Sequence, residues 1–217
     1  MKINPVNKTN FTATSLAKVG VKGLNSQYKL FNIHRSDKKF LRNWYAQLEL
    51  DKLMPNLNVE DYIIWDGVIE SAVETSSDKG RKTILETCND KICGILTYFK
   101  DIDKYKIAFA STVPVEKNKR TPFAGQILFN TFFKLFLKDF YYTVELDAIK
   151  YTPFDSVRFY HQLGFNTFAE NNYVKNMSIH RPSIIECVNE QDDFISSVFA
   201  ESRKRVDLYE CIKHLQI

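Results

Sequence analysis

Lys117, Lys119 and Arg120 crowd together just before Gly125, where a strongly apolar helical stretch begins. A helix N-terminus presents unpaired amides and a partial positive charge, so a basic loop running into one suits a diphosphate or similar polyanion. Arg120 is the best bidentate donor of the three. Farther along, Tyr160 lies one turn before the end of a short helical segment that closes Leu163-Gly164-Phe165. A phenol is a competent proton donor at neutral pH. Glu145 and Glu86 stand in stretches of alternating apolar and polar residues, where a carboxylate could accept a proton from an incoming nucleophile.

Composition narrows the field. The chain has 217 residues, a net charge of +4, 17 Phe and 11 Tyr but only 7 Gly, which argues against folds built on glycine-rich loops. Neither a Walker loop nor G-x-G-x-x-G follows any strand pattern, and no G-x-S-x-G elbow occurs. The mild charge alone does not indicate nucleic acid, so that partner is not expected. The four cysteines (Cys88, Cys93, Cys187, Cys211) form no C-x-x-C pair, and the four histidines are scattered. Reduced thiols, a cytoplasmic location and no metal site are the expectation. No apolar run approaches a bilayer span, so no membrane association is expected.

The elements that must position these residues follow from periodicity. Residues 1–27 are polar and aperiodic, reading as a flexible leader. Residues 28–33 fit a strand. Phe40, Leu41, Trp44 and Leu48 recur at helical spacing, and a second helix is expected over 60–73. Strands at 82–87 and 92–99 flank Asn89-Asp90, a hairpin turn without the usual glycine, and a further strand is expected over 104–115. Then come a helix over 125–138, a strand over 142–150, a helix over 155–163 and two strands within 166–179. Two short helices, near 188–201 and 203–215, are expected to form an extension over 181–217, which packs in cis or makes a homodimer. This order predicts an α/β (α+β) fold, a mixed and mostly antiparallel sheet with helices on both faces.

The segment Val115-Glu116-Lys117-Asn118-Lys119-Arg120-Thr121-Pro122-Phe123-Ala124-Gly125 resembles the GNAT acyltransferase pattern V-x-P-x-x-[RQ]-x-x-G-x-[GA], and Ser156 to Phe165 resembles the closing helix and turn of that superfamily. Val115, Arg120 and Gly125 match, while Lys117 replaces the proline and Phe123 the first glycine. The resemblance covers roughly residues 28–180. It implies acetyl-CoA as cosubstrate, with its diphosphate at Arg120, Thr121, Phe123, Ala124, Gly125 and Gln126. The pantetheine arm would run along main-chain groups near Val113 and Val115. Ser156 is the nearest polar substitute for an asparagine that relatives often carry, since the ungapped position is Pro153. Tyr160 would protonate the departing thiolate. Relatives often place the base glutamate on the fourth strand, which is bare here, so Glu145 is the choice and Glu86 its alternate. The acceptor would be an amine of a small molecule or protein, met by Glu60, Asp61, Asp66, Glu70, Glu74, Tyr62 and Trp65 of the second helix. The departures open a second reading, a non-catalytic binding or scaffold module of the same fold.

Overall fold

The structure, a computed structural model, describes residues 13–48, 59–76, 78–114, 120–150, 156–200 and 204–212. Ten strands form one sheet, in the order β10-β1-β2-β3-β4-β5-β6-β8-β7, with β9 also paired to β1. They are β1 (Ala13–Val21), β2 (Tyr28–Ile33), β3 (Arg81–Cys88), β4 (Lys91–Lys100), β5 (Lys104–Thr112), β6 (Thr143–Ile149), β7 (Asn166–Glu170), β8 (Val174–His180), β9 (Ile195–Phe199) and β10 (Arg205–Val206). The helices are α1 (Lys38–Ala46), α2 (Val59–Thr75), α3 (Ala124–Phe136), α4 (Ser156–Gln162), α5 (Arg181–Asp192) and α6 (Leu208–Cys211). Every strand pairing is antiparallel except β5 with β6. The expected α/β architecture holds.

Two cores sandwich the sheet. Phe40, Leu41 and Trp44 of α1 and Ile69, Ala72 and Val73 of α2 pack on Phe31, Leu85, Ile92 and Ile95. On the other face Leu128, Phe129, Phe132, Phe133 and Phe136 of α3 pack on Leu30, Ile84, Leu96 and Tyr105, joined by Phe165 and Ile184. The turn between β3 and β4 has positive φ at both Asn89 (50°) and Asp90 (65°). Short polar side chains tolerate that conformation, so the hairpin closes without glycine. Asn89 Oδ1 accepts from the Gln27 amide at 3.1 Å, and Asp90 pairs with Lys29 at 2.7 Å.

Both ends of the chain depart from the sequence reading. Residues 13–21 are a strand rather than a leader, with Ala13, Ala17, Val19 and Val21 buried. A bulge at Leu16, where the register with β2 shifts between Ser15 and Ala17, breaks the alternation that would mark it. The two short helices expected near 188–201 and 203–215 lie instead at Arg181–Asp192 (α5) and Leu208–Cys211 (α6), with the strands β9 and β10 between them. Residues 195–199 and 205–206 extend because β1 offers them an edge: β9 covers Ala17–Val21 and β10 covers Ala13–Thr14. The extension is thus part of the sheet.

Candidate active site

A bulge opens the sheet. Thr97 pairs with Phe109 but Tyr98 with Ile107, leaving Ala108 as an extra residue on β5. Before it Tyr105 and Ile107 face α3; beyond it Phe109 and Val113 face the α1/α2 side and Ala110 faces α3. The parallel pairing to β6 spans only Lys104–Ile107 against Thr143–Leu146. Beyond the bulge, β5 and β6 splay into a cleft. The Val113 amide donates to Cys93 O on β4 at 2.9 Å. Main-chain groups alternate in direction along a strand, so the Thr112 amide points the other way, into the cleft.

Two helices begin at this opening. α3 follows β5, and its N-cap position is Phe123, with φ 59° and no side-chain cap. That is the left-handed conformation, which suits glycine and is uncommon for an aromatic residue. The chain therefore keeps the backbone that the missing glycine would favour. The Phe123 ring packs on Phe194 with centroids 5.7 Å apart. Arg120 is exposed, and Tyr28 Oη donates to Pro122 O at 2.6 Å, tying the loop to β2. In the first turn the Ala124 amide donates to Thr121 O at 3.4 Å and the Ile127 amide to Phe123 O at 2.9 Å. Gly125 and Gln126 lie between these two, on the turn whose amides a helix leaves unpaired.

α4 follows β6, with Ser156 Oγ donating to Ile149 O at 3.3 Å. It ends as the Leu-Gly-Phe segment suggests. Gly164 has φ 93°, its amide donates to His161 O, and the Phe165 amide donates to Tyr160 O, both at 3.0 Å. α4 crosses the start of α3. A Cβ on Gly125 would lie 2.9 Å from the Phe159 ring, so the space there belongs to that ring, not to a phosphate as the sequence suggests. Tyr160 packs against Phe129, Phe159 and Phe165 with centroids 5.7–5.9 Å apart. Burial pushes its phenol up to about 12.

The structure gathers Thr121, Phe123, Ala124, Gly125 and Gln126 at one helix start, with Tyr160 on the helix that crosses it. Other expected residues are placed differently. Val115, the lysines at 117 and 119, and Pro153 lie outside the described residues. Val113 is buried and its amide is engaged by β4, so Thr112, which periodicity did not single out, supplies the cleft-facing amide. Glu145 pairs with Lys104 at 3.0 Å. Its neighbours Val144 and Leu146 face α3, so Glu145 points to the opposite face of the sheet from Tyr160. Glu86 is fully buried on the α3 face.

On the acidic helix α2, Asp66 accepts from Tyr45 Oη at 2.5 Å, and Glu74 is held by Arg42 at 2.5 Å and by Lys38 at 3.8 Å. Glu60 and Glu70 remain exposed, while the side chains of Asp61, Tyr62 and Trp65 lie outside the described residues. Among the described residues no three His, Cys, Asp or Glu side chains are grouped to hold a metal, and no helix is long and apolar enough to cross a membrane.

No known family model matches the sequence, and no curated protein matches it either. Solved structures do match the fold. An uncharacterized protein from Bacillus halodurans aligns with TM-score 0.55 and 12% identity over 82% of this chain and 96% of its own. The nucleotide-linked sugar GNAT FdhC, without ligand, gives 0.53 and 12% over 85% and 97%. The PaiA N-acetyltransferase of Thermoplasma acidophilum, in complex with coenzyme A, gives 0.51 and 11% over 70% and 98%. The chain has the GNAT fold, as the loop and the closing helix suggest.

Proposed function

We propose that this protein is an N-acetyltransferase that takes acetyl-CoA and transfers its acetyl group to an amine. The observation that carries the reading is the cleft between β5 and β6, flanked by the start of α3, where Phe123 offers no side-chain cap, and by α4. The first-turn amides of α3 and the Arg120 side chain would hold the diphosphate. The cleft-facing Thr112 amide would donate to the arm or to the carbonyl oxygen as negative charge builds there. Acetyl-CoA supplies the activated acyl group. Ser156 would flank the arm at the start of α4.

Tyr160 stays protonated at neutral pH. A thiol ionises near ~8.5, so complete transfer from a phenol near 12 is uphill. The phenol therefore acts by donating a hydrogen bond to the departing sulfur. Glu145 is the proposed base, for an amine that enters from the α1/α2 side, where its carboxylate lies. The acceptor is a primary amine of a small molecule or a protein. The pairing of Asp66 and Glu74 within the helix layer argues against a site that depends on many negative charges. Such a protein would work in the cytoplasm, where acetyl-CoA is found.

Thermal unfolding with acetyl-CoA, and with ATP as a charge control, tests the reading. A ligand bound at a hundred times its Kd stabilises by about 2.7 kcal/mol, readily seen as a rise in Tm. A rise with acetyl-CoA alone is expected. No rise at millimolar acetyl-CoA would sink the enzyme reading and leave a scaffold module of the same fold.

A further inference from the structure

Phe194 stands between α5 and β9, in the part of the chain that follows β8. Its surroundings fasten it on three sides. The Phe194 amide donates to Gln191 O at 3.1 Å, and the Lys22 amide, just past β1, donates to Phe194 O at 2.9 Å. β9 then pairs with β1 from Ile195 opposite Val21 to Phe199 opposite Ala17. The third side is α3. Lys134 Nζ donates to Asp192 Oδ1 at 2.6 Å and to Ser197 Oγ at 2.7 Å, and Asn130 Nδ2 donates to Asp192 Oδ1 at 3.4 Å. Asn130 and Lys134 lie one turn apart on one face of that helix. Phe194 is therefore held in place relative to α3.

The ring of this fixed residue meets Phe123, the N-cap of α3, with centroids 5.7 Å apart and planes tilted by 50°. Phe123 needs a support. Its φ of 59° is left-handed, which sets Cβ against the following carbonyl and is unfavourable for any side chain larger than glycine's. The residue is 38% exposed, so core packing does not enclose it. Tyr28 Oη, donating to Pro122 O at 2.6 Å, fixes the peptide plane that precedes Phe123. The φ rotation comes after that plane. It sets the angle between the loop ending at Pro122 and the first turn of α3.

We propose that Phe194 is a positioning residue for the cofactor: its ring holds Phe123 left-handed, and through that backbone it aligns the loop with the first-turn amides of α3 so that both face one diphosphate. The inference rests on the acetyl-CoA reading above. Phe194 itself touches no part of the cofactor. A ligand that fits only the left-handed arrangement binds more weakly by the fraction of molecules that leave it. The extension that completes the sheet at β1 thus also shapes the cofactor loop.

Calorimetric titration of acetyl-CoA into the wild type, Phe194→Ala, Phe123→Gly and the double variant tests it, the stoichiometry reporting the folded fraction. Phe194→Ala should bind roughly twofold to tenfold more weakly, the worth of one aromatic pair. Glycine adopts positive φ without steric cost. Adding Phe194→Ala to Phe123→Gly should therefore leave the affinity where the glycine alone sets it. A change that only loosened the extension would weaken both backgrounds alike. Should Phe194→Ala fail to fold, Phe194→Leu, which keeps apolar bulk and loses the ring, enters the same comparison. Undiminished affinity in the Phe194 variant, or an equal loss in the two backgrounds, would overturn the inference. A wild type that binds no acetyl-CoA would instead overturn the cofactor reading on which it stands.

Discussion

The two faces of the sheet treat acidic side chains in opposite ways. On the α1/α2 face, Asp66 and Glu74 are held by Tyr45, Arg42 and Lys38, groups that lie near solvent and tie two helices together. On the α3 face, Glu86 sits in an aromatic and aliphatic core with no partner for either oxygen among the described residues. A paired carboxylate near the surface is explained by the pair. A buried one without a partner is a different case: Glu86 fills the space that Gly94 leaves on β4. The comparison teaches that the acidic helix uses Asp66 and Glu74 to tie helices together, whereas the α3 face buries Glu86 without a charge partner among the described residues.

The hardest test of that division is Tyr160→Phe, a change confined to the α3 face. It removes the hydroxyl and keeps the ring among Phe129, Phe159 and Phe165. Turnover should fall ~10- to 100-fold, what a hydrogen bond to the charged departing sulfur is worth, with little change in acetyl-CoA affinity. Unchanged turnover in a steady-state assay would remove Tyr160 from the mechanism.

The carboxyl groups on the two faces should also give pH dependences of opposite sign. Glu86 has a folded-state pKa raised well above 4.5 by burial. Its contribution is fully present below the unfolded pKa and is lost as pH rises through the folded one, because the unfolded state releases its proton first. Glu74 is lowered, chiefly by its hydrogen bond from Arg42. Its contribution is present above the unfolded pKa and is lost as pH falls through the folded one. Denaturant midpoints across pH should therefore show Glu86→Gln flattening the decline that sets in as pH rises above the unfolded carboxyl pKa of about 4.3. Glu74→Gln should change only the acid side, and weakly, because that pair is solvent-screened. Equal slopes above that pH for Glu86→Gln and wild type would erase the contrast between the faces.

A finer comparison lies within the left-handed positions. Asn89 and Asp90 adopt positive φ with side chains suited to it; Phe123 does so without that advantage. Phe123→Gly relieves a left-handed cost of roughly 1–2 kcal/mol but forfeits an aromatic pair with Phe194 worth about 0.5–1.5 kcal/mol. Phe123→Ala forfeits the same ring contact and keeps the cost. Urea titration should find the glycine variant more stable than the alanine variant by about 1 kcal/mol. If the two are equal, Phe123 is not strained, and the loop is not shaped by the conformation a glycine would favour.

Much of this protein could be read along the chain. The hairpin at Asn89-Asp90, the helix after Gly125 and the Leu-Gly-Phe closure depend on contacts a few residues apart, and their chemistry is visible locally. What was misread depends on distant partners. The strand β1 looks like a polar leader because its bulge at Leu16 breaks the alternation, and it is a strand only because β2, β9 and β10 flank it. Residues 195–199 carry helix-compatible side chains yet extend, since pairing with an open edge outweighs weak local propensity.

Within the site the same split holds. The sequence alone determined the order of elements, the basic loop entering a helix and a phenol on the helix that follows, because each rests on local periodicity and capping. Only the tertiary structure decided which groups meet. A one-residue bulge at Ala108 turns β5 over and sends the Thr112 amide into the cleft. The register that lays Glu86 over Gly94 is likewise a property of three paired strands, and no spacing along the chain encodes it. Side-chain direction in a sheet reverses with every residue, so a single inserted position changes what each later residue faces.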